Sequence, residues 1–236
     1  MPQKVAAVEA REAQRRTELK PHSTVRTGLL GGSFNPAHRG HRRISIHAAE
    51  ALGLDEIWWL VSPGNPLKER AGMAPLDARF RSARRAARRL PIKVTAIEQR
   101  LGTPYTAETL RALLERYPRR RFVWLMGADN LAQFHRWRDW RKIASMVPIA
   151  VIARPGYDAL AHRARSMGWL RRFVRPARQS RHWTTWRPPA LVLLTLPPDP
   201  TSATGLRAAQ PDWHQKPPKS FNPQALRDPV TRRPLL

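Results

Sequence analysis

The sequence predicts an α/β protein in which a doubly wound parallel sheet carries helices on both faces. Short apolar segments rich in Val, Ile and Leu alternate along the chain with segments whose apolar residues recur at helical spacing. The apolar segments lack the polar–apolar alternation of a half-exposed strand, so both faces of the predicted strands are expected to be buried. Hydrophobic residues make up 42% of the chain, which is enough for a sizeable core.

Six strands are predicted, in chain order, at residues 25–30, 56–61, 92–97, 122–126, 149–153 and 191–196. Helical periodicity predicts helices at residues 40–53, 77–89, 106–116, 130–145, 157–168 and 202–209. In parallel sheets of this kind, ligands bind beyond the carboxyl ends of the strands. The polar motifs described below all follow predicted strands, and we therefore expect them to converge on one crevice.

A single folded domain is predicted between two irregular ends. Residues 1–24 are polar and charged, and a flexible tail is expected there. Residues 25–209 hold all the predicted strands and helices and form the predicted domain. Between residues 210 and 236 prolines recur among polar residues, which predicts an irregular tail.

The chain is strongly basic, with 43 Lys and Arg against 17 Asp and Glu and a formal charge of +26. Such a charge attracts polyanions, either nucleic acid or phosphorylated small molecules. The basic residues are spread along the chain. Their densest run, residues 79–89, predicts an amphipathic helix with a solvated basic face.

Some residue types and segments are missing from the sequence. Cysteine is absent, which excludes disulfides, thiolate catalysis and cysteine-bound zinc. No apolar run approaches the roughly twenty residues of a membrane helix, so no membrane partner is predicted. The N-terminal residues lack the apolar stretch of a secretory signal. These features fit a cytoplasmic enzyme and leave its oligomeric state open.

A glycine-rich turn with two histidines follows the first predicted strand, where residues 31–41 read GGSFNPAHRGH. Gly31 and Gly32 are expected to let the backbone turn sharply and approach a ligand closely. The helix that follows offers backbone N–H groups to a phosphate. His38 and His41 are three residues apart and share one face of its first turn. The turn therefore predicts a site for a nucleoside triphosphate.

A second phosphate motif follows the last predicted strand, where residues 201–207 read TSATGLR. Ser202 or Thr201 can cap the helix that begins there, and hydroxyls beside a helix N-terminus can hold a phosphate. Arg207 can extend its guanidinium to the β- and γ-phosphates.

The two motifs resemble the signatures of the nucleotidyltransferase superfamily. The first matches G-x-F-[DN]-P-x-H-x-G-H, with Asn35 where many members have Asp, and we expect Asn35 to remain a capping acceptor. The second matches S-[ST]-T-x-[IL]-R, with Ala203 in place of a hydroxyl residue. The resemblance implies a Rossmann-like nucleotidyltransferase fold in which His38, His41 and Arg207 act on the phosphates during catalysis.

The middle of the chain narrows this resemblance to one acceptor. Four segments carry it: WLVSPGNPLK at 59–68, PYTAETL at 104–110, MGADNL with FHRW between 126 and 137, and IARPGY at 152–157. Over residues 27–209 the chain resembles the bacterial nicotinate-nucleotide adenylyltransferases. The resemblance implies adenylyl transfer from ATP to nicotinate mononucleotide, giving nicotinate adenine dinucleotide and pyrophosphate in NAD biosynthesis. It also implies Mg²⁺ bound through ATP, since no carboxylate cluster dedicated to a metal is evident.

The resemblance implies two sets of ligand contacts. The ATP set is Gly31, Gly32, Ser33, Phe34, His38, His41, Gly127, Asp129, Ser202, Thr204 and Arg207. The nicotinate mononucleotide set is Asn65, Lys68, Tyr105, Thr106, Asp129, Trp137 and Arg154.

Chemistry supports each acceptor contact. Trp137 can stack on the pyridine ring, and N–H groups at the helix start near Tyr105 and Thr106 can bind the nicotinate carboxylate. Asn65, Lys68 and Arg154 can hold the phosphate, and Asp129 can accept ribose hydroxyls while capping its helix. Structural roles also remain open: Asp129 as a helix cap alone, Trp137 as core, Lys68 as an exposed loop residue and Arg154 as the end of a strand.

Two rival functions are weighed against this reading. A pantetheine-phosphate adenylyltransferase would share the histidine turn but would not need the segments at 104–110 and 126–137. A basic nucleic-acid-binding protein would account for the charge and the nine tryptophans. Most aromatic residues, however, fall at core-like positions, including Trp58, Trp59 and Trp124 in strands, so no specific nucleic-acid partner is predicted.

Overall fold

The computed structural model describes residues 24–64, 72–153, 163–196, 203–215 and 228–233. Seven strands form one sheet in the order β3-β2-β1-β4-β5-β7-β6, and every pair of neighbouring strands is parallel. The strands are β1 Val25–Gly32, β2 Glu56–Val61, β3 Ile92–Thr95, β4 Arg120–Gly127, β5 Ile149–Ala153, β6 Val174–Arg175 and β7 Leu191–Thr195. The predicted parallel α/β sheet is confirmed.

Helices connect the strands and cover the sheet. The α-helices are α1 Arg39–Leu52, α2 Leu76–Ala86, α3 Ile97–Leu101, α4 Thr106–Arg116, α5 Ala128–Gln133, α6 Trp140–Met146, α7 Met167–Leu170 and α8 Ala203–Ala209. Short 3₁₀ segments lie at Phe134–Arg136, Arg171–Phe173 and Ala177–Thr185. Within the described residues, no helix is both long and apolar enough to cross a membrane.

Several predicted elements differ from the structure. The helix predicted at 130–145 is broken into α5, a 3₁₀ turn and α6, and Asp139 ahead of α6 has a positive φ of 55°. The strand predicted at 92–97 ends at Thr95, because Ile97 already begins α3. Most of the helix predicted at 157–168 lies outside the described residues. The two-residue strand β6 was not predicted, since it is too short to show a pattern.

The strand order places the switch in chain direction between β1 and β4. From β1 the chain moves outward through β2 to β3, and it then returns to the other side of β1 to form β4 and β5. In doubly wound sheets, the crevice at such a point receives the ligand. The carboxyl ends of β1 and β4, at Gly32 and Gly127, therefore mark the expected site.

The core lies in two clusters of buried side chains. The first contains Trp58 and Trp124, and the second contains Trp59 and Phe34. The three strand tryptophans are 2% exposed or less, as their core-like positions predicted. Because successive strand residues point to opposite faces, Trp58 and Trp59 help to anchor both helical layers.

The described part of the C-terminal segment docks against the end of β3. Asp228 is 1% exposed, and its carboxylate accepts hydrogen bonds from the Thr95 hydroxyl at 2.7 Å and the Ala96 N–H at 2.9 Å. Its other oxygen accepts the N–H groups of Val230 and Thr231. The start of α3 is thus held by a residue more than 130 positions away in the sequence.

Candidate active site

A cavity of about 540 Å³ opens at the carboxyl ends of β1 and β4. Residues from the histidine turn, the starts of α4 and α5 and the beginning of α8 line it together. Its volume is in the range of pockets that hold nucleotides and drug-sized ligands. The described parts of the sequence motifs therefore converge on the crevice at the switch point, as expected.

His38 and His41 form a reciprocal cap at the start of α1. Gly40 N–H donates to His38 Nδ1 at 3.1 Å, and His38 N–H donates to His41 Nδ1 at 3.2 Å. An Nδ1 that accepts a hydrogen bond carries no proton, so in the neutral ring the proton lies on Nε2. The two ring centroids are 4.0 Å apart, and both residues line the cavity. The cap thus sets the tautomer of two adjacent imidazoles.

The bend of the turn lies at Phe34, and the expectation that the glycines make it was wrong. Gly31 and Gly32 are the last residues of β1, whereas Phe34 has a φ of 48°. Gly31 is needed for packing, because a Cβ there would lie 2.8 Å from Cη2 of Trp124. The Phe34 ring is 1% exposed and stacks on Trp59 at 5.0 Å.

The same phenyl ring supports the second histidine. The Phe34 and His41 ring centroids are 4.8 Å apart, and Phe34 also contributes to the cavity lining. With its ring nearly inaccessible, the side chain of Phe34 orients His41 from behind. Ser33, the residue before it, also lines the cavity.

Asn35 does not cap the helix, and that prediction was wrong. The helix begins at Arg39, beyond the reach of Asn35, and His38 occupies the capping position. The Asn35 side chain instead donates to the Gly72 carbonyl at 2.9 Å and accepts the Ala74 N–H at 3.3 Å. It therefore joins the histidine turn to the loop ahead of α2.

Arg79 is a structural residue of the site that the sequence reasoning missed. It was expected on a solvated basic face, but it is 2% exposed. Its guanidinium donates to the carbonyls of Ser33 at 2.9 Å, Ser62 at 2.7 Å and Ala74 at 2.8 Å. Burial lowers the pKa of Arg79, and the nearby Asp77 carboxylate partly offsets that shift. One cation thus joins the loops that follow β1 and β2.

A signal for Arg79 was present in the helical spacing. Arg79 lies next to Phe80 and four residues before Ala83, both of which are fully buried. Residues four apart share a helix face, so Arg79 borders the apolar stripe. Arg84 and Arg85, on the opposite side of the helix, are exposed as predicted.

The C-terminal motif reaches the histidine turn through α8. Arg207 donates to the Asn35 carbonyl at 2.7 Å and to the Thr204 hydroxyl at 3.4 Å. Ala203 lines the cavity. Ser202 lies outside the described residues. The guanidinium of Arg207 therefore lies beside the turn that carries His38 and His41.

The described members of the predicted acceptor set lie in the wall of the same cavity. They are Tyr105, Thr106, Asp129 and Trp137, and Gly127 of the predicted ATP set lines the cavity with them. The predicted contacts Asn65, Lys68 and Arg154 fall outside the described residues.

Trp137 combines a packing role with access to the cavity. It is half-buried, and its ring meets Trp124 edge-on at 6.2 Å and Phe134 at 5.4 Å. Trp137 also forms part of the cavity wall, so packing in the core does not account for all of its contacts.

Asp129 is the exposed second residue of α5 and makes no cap. The N-terminal capping position is Gly127, and no side chain caps the helix there. A Cβ at Gly127 would collide with Asp129 Oδ1, so glycine allows the carboxylate to lie over the strand end. The exposed carboxylate lines the cavity, where it can accept hydrogen bonds from ribose hydroxyls.

Glu98 lines the cavity and was also missed by the sequence reasoning. It is 5% exposed, and burial raises its pKa to about 7 even though hydrogen bonds with Ser62 and Thr109 act in the opposite direction. The Thr109 hydroxyl lies 3.3 Å from Glu98 Oε1. The sequence did offer one signal for Glu98: it follows the third predicted strand, at the edge of the sheet where ligands are expected.

Comparison with known proteins gives consistent matches. The chain matches the cytidylyltransferase-like family model over residues 29–209. It is 59% identical over 213 residues to a probable nicotinate-nucleotide adenylyltransferase of Erythrobacter litoralis, covering 90% of this chain and 95% of that protein. A probable nicotinate-nucleotide adenylyltransferase of Cereibacter sphaeroides is 53% identical over 181 residues, covering 77% of this chain and 96% of the relative.

One solved structure supports the fold. A Plasmodium falciparum nicotinic acid mononucleotide adenylyltransferase complexed with APC aligns with a TM-score of 0.56. The alignment covers 78% of this chain and 83% of that chain at 15% identity. At this identity the match bears on the architecture alone, and the architecture agrees with the predicted α/β class.

Proposed function

The chain belongs to the cytidylyltransferase-like family and, within it, to the nicotinate-nucleotide adenylyltransferases, and from this membership we propose how its site works. The enzyme transfers the adenylyl group of ATP to nicotinate mononucleotide, a step of NAD biosynthesis. The observation that carries the proposal is a pair of histidines that cap α1 through Nδ1 and line a nucleotide-sized cavity. We propose that residues 25–209 form the catalytic unit and that the enzyme works in the cytoplasm, where ATP is abundant.

The reaction is an in-line displacement at the α-phosphorus of ATP. A phosphate oxygen of nicotinate mononucleotide forms the new bond to that phosphorus, while the bond to the bridging oxygen of the β-phosphate breaks and pyrophosphate leaves. Negative charge grows on the phosphate oxygens during the step. Fixed N–H donors directed at that charge lower the barrier. His38 and His41 supply such donors through Nε2, because Nδ1 of each ring is engaged by the cap.

ATP is held between the two phosphate motifs. His38 and His41 lie on one side, and Arg207 lies beside the same turn on α8. Gly31, Gly32 and Ser33 line the cavity without bulky side chains, which allows the nucleotide to lie against the backbone. Gly127 and Asp129 extend this surface at the end of β4.

The acceptor end of the cavity comprises Glu98, Tyr105, Thr106 and Trp137. The pyridine ring of nicotinate mononucleotide is electron-poor and packs on the indole of Trp137. The nicotinate carboxylate lies at the start of the 11-residue helix α4, where backbone N–H groups and the helix dipole favour an anion.

The cavity suits Mg²⁺ that arrives bound to ATP, and not a metal ion held by the protein. The described cavity wall offers two histidines, the exposed Asp129 and the buried Glu98, whereas Mg²⁺ prefers several oxygen ligands in octahedral geometry. In the part of the chain that the structure describes, no three His, Asp or Glu side chains come together as metal ligands. This donor set does not fit a resident Mg²⁺ ion, and we propose that the ion enters on the phosphates of ATP.

The substrate assignment is tested by acceptor competition. Pyrophosphate release is measured with nicotinate mononucleotide, nicotinamide mononucleotide and phosphopantetheine as separate acceptors of the adenylyl group. We expect the highest kcat/KM with nicotinate mononucleotide. A clear preference for phosphopantetheine would instead assign the chain to the rival pantetheine reaction, and a preference for the amide would reverse the choice of pyridine nucleotide.

Replacing Trp137 by Ala tests the proposed ring contact. Loss of an aromatic contact worth about 1.4 kcal/mol raises the KM for nicotinate mononucleotide about tenfold, while the KM for ATP changes little. Steady-state kinetics with each substrate varied in turn measure both constants. Trp140→Ala is the matched control, since Trp140 packs edge-on against Phe134 and Trp169 and is not a cavity residue. Equal effects of both variants on the two KM values would contradict the ring contact.

A further inference from the structure

Glu98 places a buried carboxyl group at the acceptor end of the cavity. Within the described residues, no Lys, Arg or His side chain forms an ion pair with it. Its described side-chain partners are the hydroxyls of Ser62 and Thr109. A carboxylate in such surroundings loses hydration without gaining a countercharge, so burial favours its neutral form.

The two hydroxyls also have backbone carbonyls as partners. The Ser62 hydroxyl lies 2.8 Å from the Gly64 carbonyl, and the Thr109 hydroxyl lies 3.3 Å from the Tyr105 carbonyl. A hydroxyl has a single proton, and when it donates that proton to a carbonyl it presents lone pairs to other neighbours. Each hydroxyl has to share its single proton between Glu98 and a carbonyl, so the two hydroxyls only partly offset the cost of burying a carboxylate.

The same group lies where the proposed function places the nicotinate carboxylate. The Glu98–Thr109 hydrogen bond joins α3 to α4, and the start of α4 is the proposed carboxylate site. An ionised Glu98, whose side chain is buried, would add a second negative charge beside the ligand. Like charges in such a place repel strongly, whereas a neutral acid does not.

Resting on the proposed function, we propose that Glu98 is a specificity-determining residue that admits the nicotinate carboxylate as a neutral acid and rejects it when ionised. Nicotinamide mononucleotide carries an uncharged amide at the same ring position. Its binding is therefore far less sensitive to the charge on Glu98. The structure thus assigns to one side chain a pH-dependent choice between acid and amide acceptors.

The pH range follows from the raised pKa of Glu98, about 7. Below that pH the side chain is neutral and nicotinate mononucleotide is favoured, and above it the preference declines. Other charged groups lie around Glu98 on the packed elements and cavity wall. They are Glu108 on α4, Asp228 at the start of α3, Arg79 at the Ser62 carbonyl, and His38, His41, Asp129, Arg136 and Arg138 in the cavity wall.

The ratio of kcat/KM for two acceptors cancels most of the effect that these other groups have on the pH dependence. kcat/KM is measured for nicotinate mononucleotide and for nicotinamide mononucleotide between pH 5.5 and about 9, and the acid-to-amide ratio is plotted. The two acceptors share the ribose and the phosphate, and both reactions use the same ATP and histidines. The ratio therefore reports mainly on the groups that face the ring substituent.

For the wild-type enzyme we expect the ratio to fall about tenfold or more from pH 6 to pH 8.5. Glu98→Gln keeps a neutral side chain at every pH, so its ratio is expected to stay high and flat. Glu108→Gln is the matched control, because Glu108 is a nearby carboxylate that accepts the Thr103 hydroxyl and does not line the cavity. Its ratio should still fall with pH as in the wild type.

A flat wild-type ratio, or the same fall in Glu98→Gln, would overturn the assignment of Glu98. Calorimetry on the wild type provides a measurement that needs no variant. At pH 8, binding of nicotinate mononucleotide should take up close to one proton more than binding of the amide, and equal proton uptake would also overturn it. Activity with neither acceptor would refute the proposed function itself, whereas activity with a flat ratio refutes the role of Glu98 alone.

Discussion

His38→Asn and His41→Gln are each expected to lower kcat by a factor of about 10²–10³ while the fold is retained. Each variant removes an Nε2–H donor from the phosphate site. Asn at the capping position still accepts a backbone N–H, and Gln three residues into the helix can still reach back to the cap. The measurement is single-turnover pyrophosphate release, with circular dichroism and thermal unfolding as checks of the fold.

The alanine variants separate catalysis from capping. His38→Ala and His41→Ala lose the donor and the hydrogen bond that caps α1. They should lose as much activity as the matched variants, and in addition about 0.5–2 kcal/mol of stability. A kcat within about threefold of wild type in His38→Asn and His41→Gln would contradict the phosphate role of the imidazoles.

Arg79→Met is expected to cause the largest loss of stability of the substitutions considered. The guanidinium is buried and satisfies the carbonyls of Ser33, Ser62 and Ala74. A buried acceptor without a donor costs about 1–3 kcal/mol, so the free energy of unfolding should fall by about 3 kcal/mol or more. Urea denaturation measures this change directly.

The same substitution should also reduce activity through the loops that Arg79 joins. Ser33 lines the cavity beside the histidine turn, and a shift of its carbonyl moves the turn. We expect kcat/KM for ATP to fall about tenfold in the folded fraction, since small misplacements are costly in positioning reactions.

Two further variants identify the cause of the Arg79 effect. Arg79→Lys keeps one charge and one donor group but not the planar fork, so it should restore only part of the stability. Arg84→Met removes an exposed arginine from the same helix and should change stability by less than about 0.5 kcal/mol. If Arg79→Met were as stable as Arg84→Met, the joining role of Arg79 would be wrong.

The sequence allowed the sheet and the phosphate motifs to be predicted because both depend on short-range patterns. Apolar segments without polar alternation located six of the seven strands, and all six predicted strands occur. The spacing of His38 and His41 placed both imidazoles on the first turn of α1. The general rule for parallel sheets then placed the motifs at one edge, where the cavity is found.

The errors arose where a residue acts through a distant partner. Asn35 was expected to cap a helix that begins four residues later, but it binds Gly72 and Ala74 across the fold. Arg79 was expected in solvent because its neighbours in sequence are basic, yet its partners Ser33 and Ser62 follow two different strands. Periodicity specifies a helix face but carries no information on which carbonyls lie opposite it.

The amino-acid sequence alone determined the class of fold, the edge of the sheet where the cavity opens and the pair of imidazoles in its wall, because each follows from local spacing and from the direction of parallel strands. Only the tertiary structure decided the tautomer of those imidazoles, the burial of Arg79 and the environment of Glu98. These properties depend on which groups become neighbours once the helices pack on the sheet and exclude water. The strength of a charge or a hydrogen bond is set by that surrounding medium, which no short stretch of sequence contains.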